Sequence, residues 1–231
     1  MNLSFTRNAL SRFPELKSDK VDSKLWAELI RVAKDNDDKL QSDINKISNR
    51  YSSGRGIDMA ELCPDWQNIA DHTSYFVKAF QEYDTVFLPD DSTWYVADLV
   101  VPTGKSIIGN ATVSNDPTTI NDIKPCIKKA VGAVTSILNL SLSKRVNLRG
   151  FRIDGVTSDK YGILATQADN IFTTDLTGHR CLTFYGSPSS SASSAYTSIH
   201  WGNYVRDCVY GYENLQDSSV YGGTCVLIGK T

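Results

Sequence analysis

The sequence predicts a mainly β protein, wound as a parallel β-helix and preceded by one long N-terminal α-helix. Three observations predict it. Residues 18–51 run without Gly or Pro and carry a helical apolar stripe on an otherwise charged surface. After residue 84 the chain breaks into short β-like runs punctuated by glycine, the pattern of a sandwich, a barrel or a solenoid. An internal repeat with a period in the low twenties then selects the solenoid.

Composition narrows the function. The 231 residues carry 24 basic and 26 acidic side chains, a formal net charge of −2. That balance argues against a nucleic-acid binder working through a basic face. No apolar run approaches the roughly 18 residues that span a membrane, so no membrane insertion is expected. Met1 to Glu15 holds Arg7, Arg12 and Glu15 and no apolar core, unlike a signal peptide. The cysteines Cys63, Cys126, Cys181, Cys208 and Cys225 are odd in number and lack CxxC spacing. Neither a zinc site nor a complete disulfide framework is expected; one disulfide stays open, and reduced thiols made in a cytoplasm are the default. His72, His179 and His200 are far apart and form no HExxH pattern, so no metal and no cofactor is expected.

Residues 1–17 mix charge and polarity, include Pro14 and read as a short arm. Residues 18–51 begin with acids at Asp19 and Asp22, which suit the positive end of a helix. The stripe Leu25, Leu29, Val32, Asn36, Leu40, Ile44, Ile47, Tyr51 advances by about 3.7 residues per step, closer to a straight or slightly right-handed bundle than to a left-handed coiled coil. A narrow stripe suits self-association, with Asn36 setting register; the other reading is an amphipathic helix packed on its own domain. Residues 52–57 read as a hinge. The domains are thus 1–17, 18–56 and 57–231.

A second helix is expected over 66–82, where Ile69, Phe76, Ala79 and Phe80 share one face. Strands follow at 85–89, 94–96, 99–102 and 106–109, with Thr103-Gly104 as a turn. A helix is also considered at 122–131. Further on, Asn147, Asn170 and Asn203 are each followed by an apolar or aromatic residue one position on, an aliphatic six on and a glycine eight on. The copies are 23 and 33 residues apart, the longer gap holding a Ser-rich insertion at 187–194. In a β-helix equivalent residues stack at about 4.8 Å into columns. This register puts Leu148, Ile171 and Tyr204 in one inward column and Ile153, Leu176 and Val209 in another. It stacks the three asparagines as an amide ladder. It also gives Gly155, Gly178 and Gly211 positive φ at a corner, and sets Asp175 over Arg152 on the outer face.

Several motifs carry a resemblance. Asp71 and Thr73, Ala79, Leu88-Pro89, Pro102-Thr-Gly104 and Ile107-Ile108-Gly109 occur in order. This order resembles the opening of the pectate-lyase-like, right-handed β-helix superfamily, with Asp90-Asp91 replacing the usual glycine after Leu-Pro. The layout of arm, charged helix and β-helix resembles bacteriophage tailspikes. That resemblance implies a homotrimer whose helices form a three-helix bundle. It implies an N-terminus held by phage tail or adaptor proteins, and a β-helix that recognises and degrades bacterial surface polysaccharide. It places the protein in the virion after synthesis in the host cytoplasm. A non-catalytic structural or adhesive fibre is the alternative. After Gly211 only twenty residues remain and no cap is visible, so the sequence reads as the N-terminal part of a longer protein.

Polysaccharide hydrolysis needs two carboxyl groups at defined separation. Asp154, Asp175, Asp207, Glu213 and Asp217 are available, but each reads better as solvated surface charge, and the catalytic residues are expected beyond residue 231. Sugar rings present apolar faces that aromatic rings match. Of Tyr196, Trp201, Tyr204, Tyr210, Tyr212 and Tyr221, most are expected in the core. Trp201 and Tyr210 are expected to be exposed, and with Glu213 they are the carbohydrate-contact candidates.

Overall fold

The structure, a computed structural model, describes residues 56–111, 116, 118–188 and 194–227. The arm at 1–17, the helix at 18–51 and most of the hinge lie outside the described residues. Gly56 and Ile57, assigned to the hinge end, begin a strand.

That strand, β1 (Gly56–Asp58), leads into α1 (Met59–Leu62), a 3-10 turn at Trp66–Asn68, and α2 (Thr73–Glu82). Four strands follow: β2 (Thr85–Phe87), β3 (Thr93–Val96), β4 (Leu99–Val100) and β5 (Ser106–Ile108). After an excursion come β6 (Cys126–Lys129), β7 (Ser136–Asn139), β8 (Asn147–Arg149), β9 (Arg152–Asp154) and β10 (Tyr161–Leu164). The chain continues through β11 (Phe172–Thr174), β12 (Thr177–His179), β13 (Thr183–Gly186) and β14 (Ala195–Tyr196). It ends with β15 (Ile199–Cys208), β16 (Tyr210–Glu213), β17 (Leu215–Gln216) and β18 (Ser219–Leu227).

Every strand pair between these elements is parallel. One long sheet runs β1-β2-β5-β8-β11-β15 and returns β12-β9-β6-β3, with β18 added on β15; a second runs β16-β13-β10-β7-β4. Two consecutive strands therefore join the long sheet, the next joins the second, and the chain then returns one layer further on, an arrangement consistent with a β-helix or solenoid. In β15 and β18 two successive strand segments fuse into one.

Three inward columns form the core. The first is Val86, Ile107, Leu148, Thr173 and His200, with half-exposed Val220 stacked on His200 at its end. The second is Trp94, Ile127, Ile153, Gly178 and Val205. The third is Leu99, Leu138, Ile163, Tyr185 and Tyr212. Gly178 makes room for Phe184, whose ring fills the space a Cβ would need.

These columns correct the expected register. Asn147 stacks on Phe172 and Ile199, not on Asn170 and Asn203. Asn170 sits at φ 55 just before β11, a corner conformation no ladder strand adopts. Asn203 is buried and bridges coils instead: its Oδ1 accepts from Leu176 N–H and its Nδ2 donates to Thr173 Oγ1. Tyr204 pairs with Thr177, leaving Val205 as the inward residue. Arg152 also stacks on Thr177, not on Asp175, and is buried. Gly155, Gly178 and Gly211 are not the left-handed corner positions. The helix considered at 122–131 is a 3-10 turn at Ile120–Asp122 followed by β6. Pro125 keeps Lys124 out of helical geometry, and Ile127 fills the column between Trp94 and Ile153.

One end of the sheets is covered by α2, whose Phe76, Ala79 and Phe80 join Val86, Trp94 and Met59 in the core. The helix is shorter than the expected 66–82 span, and its start has a physical cause. Asp71 Oδ1 accepts from both the Thr73 amide and hydroxyl, while Thr73 Oγ1 accepts from Ala97 N–H. Buried His72 accepts from Tyr95 N–H at Nδ1, so Nε2 carries the proton and donates to the Trp66 carbonyl.

Candidate functional site

The clearest site candidate lies where each strand of the first segment ends and the chain turns a corner. Successive coils place Gly150, Asp175, Gly202 and Gly222 there, at φ 67, 51, 64 and 55. A left-handed residue is required at each, and glycine adopts it freely. Asp175 alone is not glycine. Its Oδ1 lies 2.8 Å from where a Cβ on Gly202 would sit, so the next coil's glycine leaves room for the carboxylate.

A groove of about 490 Å³ opens beside this corner, lined by Phe87, Leu88, Ile108, Arg149, Gly150 and Asp175 among others. Gly109 and Gly150 form its floor and pack so closely that neither has room for a Cβ. Neither the Arg149 guanidinium nor the Asp175 carboxylate has an ion-pair partner among the described residues. Some charges elsewhere do pair, Lys105 with Asp84 at 2.9 Å and Lys129 with Asp159 at 2.7 Å.

From this groove an outward column runs along the stacking direction: Phe87, Ile108, Arg149, Thr174, Trp201, Tyr221. Trp201 is 57% exposed and Tyr221 50%, with ring centroids 5.7 Å apart. Phe172 and Ile199, at the start of the same strands, are also exposed. The aromatic pair continues the column that begins in the charged groove, about 10 Å beyond Arg149 at two coil spacings.

The other carbohydrate-contact candidates fall on the second sheet. Tyr210 is half exposed and stacks over Thr183. Glu213 Oε2 accepts from Thr183 Oγ1 at 2.8 Å and from Tyr161 Oη at 3.2 Å. Burial and the adjacent Glu213 carboxylate push the Tyr161 phenol up to about 12, and Tyr210 adds to the effect. The structure thus brings Tyr210 and Glu213 together around Tyr161 and leaves Trp201 on a separate face. Of the remaining candidate carboxylates, Asp217 is an exposed corner residue at φ 51.

Asp154 and Asp207 belong to a covered ionic cluster. Asp154 is fully buried and accepts from Arg180 Nε and Nη2 at 3.0 and 2.6 Å and from Val156 N–H. Burial alone raises its proton affinity, but these donors more than offset that and hold it below the usual carboxylate range. His179 lies between Asp207, at 3.3 Å from Nε2, and Asp154, at 4.0 Å from Nδ1. Burial lowers the His179 pKa despite both acids, with Arg180 and Arg152 assisting. The 3-10 turn covers this face, its Ile120 carbonyl accepting from Arg152 Nη1. Cys126 accepts from Arg152 Nε at 3.2 Å, and its thiol is pushed up by burial, which disfavours a nucleophilic thiolate. Among the described residues no group of three or more His, Cys, Asp or Glu could hold a metal ion.

Sequence reasoning missed Arg149. The signal was an Arg-Gly step at a corner whose later coils also carry glycine, visible only with the correct register. No family model, no curated protein and no solved structure matches the chain.

Proposed function

We propose that this chain is the N-terminal part of a bacteriophage tailspike. On this reading it trimerises through residues 18–51, docks on the virion through its N-terminus and presents a right-handed β-helix to host surface polysaccharide. The order of motifs from Asp71 to Gly109 supports the reading, as do the long parallel sheets. The observation that carries the polysaccharide part is the outward column from the Arg149 groove to the Trp201–Tyr221 pair. It offers two exposed, mutually tilted aromatic rings and unpaired polar groups along one line, which suits a chain of sugar rings.

A specific observation favours binding over cleavage by these residues. The groove lining holds one carboxylate, Asp175, where glycoside hydrolysis uses a pair. The second reading is therefore an adhesive, non-catalytic spike segment.

The test is to incubate the purified chain with isolated host surface polysaccharide, measuring both retention on the polysaccharide and release of new chain ends. Retention without new ends is the outcome expected of this segment. Release of new ends would place catalysis in it, and no retention at all would sink the polysaccharide reading.

A further inference from the structure

We propose that the groove at the Arg149–Asp175 corner binds a neutral saccharide unit, its adjacent hydroxyls bridging the two side chains. The proposal deepens, and rests on, the reading of this face as a polysaccharide surface.

The argument begins with Asp175. Three of four equivalent corner positions are glycine, the residue the left-handed conformation favours. Asp91, Asp98, Asp207 and Asp217 hold the left-handed region too, but Asp175 holds it at a cost relative to glycine and sets its carboxylate in the groove lining. The carboxylate does not recover the loss through an ion pair: among the described residues it has none, and neither does Arg149 one coil away. Two opposite charges thus line one groove without meeting within 4 Å.

The ligand chemistry follows from that separation. A hydroxyl both donates and accepts, so of two neighbouring hydroxyls one donates to Asp175 and the other accepts from Arg149. Charge-assisted hydrogen bonds of this kind are the stronger class. The two charges cancel, so a neutral ligand satisfies both. A hexuronate carboxylate gains Arg149 but faces Asp175; an ammonium sugar gains Asp175 but faces Arg149. Phe87, Leu88 and Ile108 supply an apolar wall for the C–H face of a pyranose ring. Gly109 and Gly150 line the same groove, each packed against the other's backbone. A linear glycan then continues past Thr174 onto Trp201 and Tyr221.

The test applies the full chain to an array of neutral hexose oligosaccharides and of hexuronate-containing oligosaccharides. Binding to the neutral set is expected, weakened at least tenfold by Arg149→Met and by Asp175→Gly. The glycine variant removes the carboxylate while relieving the backbone, so an unchanged or raised melting temperature shows that lost binding is not lost folding. Trp201→Ala is expected to weaken binding while keeping the neutral preference. Binding confined to the hexuronate set would overturn the inference and leave the polysaccharide reading standing. Neutral binding indifferent to both groove variants but lost in Trp201→Ala would overturn the assignment to this groove. Binding to neither set would remove the polysaccharide reading itself.

Discussion

At the scale of single residues, the corner column separates conformational cost from chemistry. Asp175 holds φ 51 where Gly150, Gly202 and Gly222 hold similar values. Asp175→Gly should therefore stabilise the fold by about 1 kcal/mol, the order of the left-handed penalty for a residue with a Cβ. Chemical denaturation reads this directly, and a loss of stability would mean the carboxylate holds the corner. The buried histidines set a second residue-scale expectation. His200 is fully buried, bonded through Nδ1 to Thr173 Oγ1, and burial pulls its pKa down to about 4. An unfolded histidine titrates near 6.5. Between about pH 6.5 and 4 the unfolded chain takes up a proton that the folded chain refuses, so stability falls as pH falls. The loss amounts to about 3 kcal/mol once pH has dropped below 4. His179, also lowered, acts in the same direction. The lowered carboxylates act in a separate window: their stabilisation is present above about pH 4 and is lost only as pH falls further. Urea titrations from pH 7.5 down to 4.5 should thus show a falling midpoint, and His200→Gln should flatten that slope. A wild-type midpoint independent of pH in this window would contradict the burial of His200.

At the scale of elements, α2 shows what sequence periodicity reads well. Ile69, Phe76, Ala79 and Phe80 were spaced for one face, and Phe76, Ala79 and Phe80 are buried against the first coils. The strands at 85–87, 93–96, 99–100 and 106–108 also fell where β-branched runs and turns placed them. The helix considered at 122–131 failed because local pattern competes with tertiary context there. Ile127 is claimed by a column in which its neighbours, Trp94 and Ile153, lie 33 residues before it and 26 after it. Since α2 covers the end of the core, Phe76 sits where a cavity cannot collapse easily, between Phe80 and the edge of Trp94. Phe76→Ala should cost about 3–5 kcal/mol, as large-to-small core changes do. A cost below about 1 kcal/mol in equilibrium unfolding would show that α2 is not part of the cooperative core.

At the scale of the whole molecule, the mainly β, repeating character was legible but the register of the parallel strands was not. The repeat of Asn147, Asn170 and Asn203 assumed a nearly constant period, yet equivalent residues Asn147, Phe172, Ile199 and Ser219 are 25, 27 and 20 apart. Corners absorb the variation, so a single sequence cannot fix which residues stack. The same limit hid the site: Arg149 and Asp175 meet one groove only once the coils are aligned, whereas exposed Trp201 needed no register. What the arrangement does as an assembly turns on residues 18–51. On the proposed reading, residues 18–51 form a helix whose apolar stripe from Leu25 to Tyr51 is buried by pairing between chains, while its charged remainder stays in water. Light scattering on the intact chain should therefore return about three times the monomer mass. Leu29→Asp with Ile44→Asp places charge in the stripe and should give single chains that keep the β-rich circular dichroism of the solenoid. Coupled loss of mass and β signal would instead make the helix part of the solenoid's own fold. A wild-type mass of one chain would end the trimeric account and leave a monomeric carbohydrate-binding solenoid as the better one.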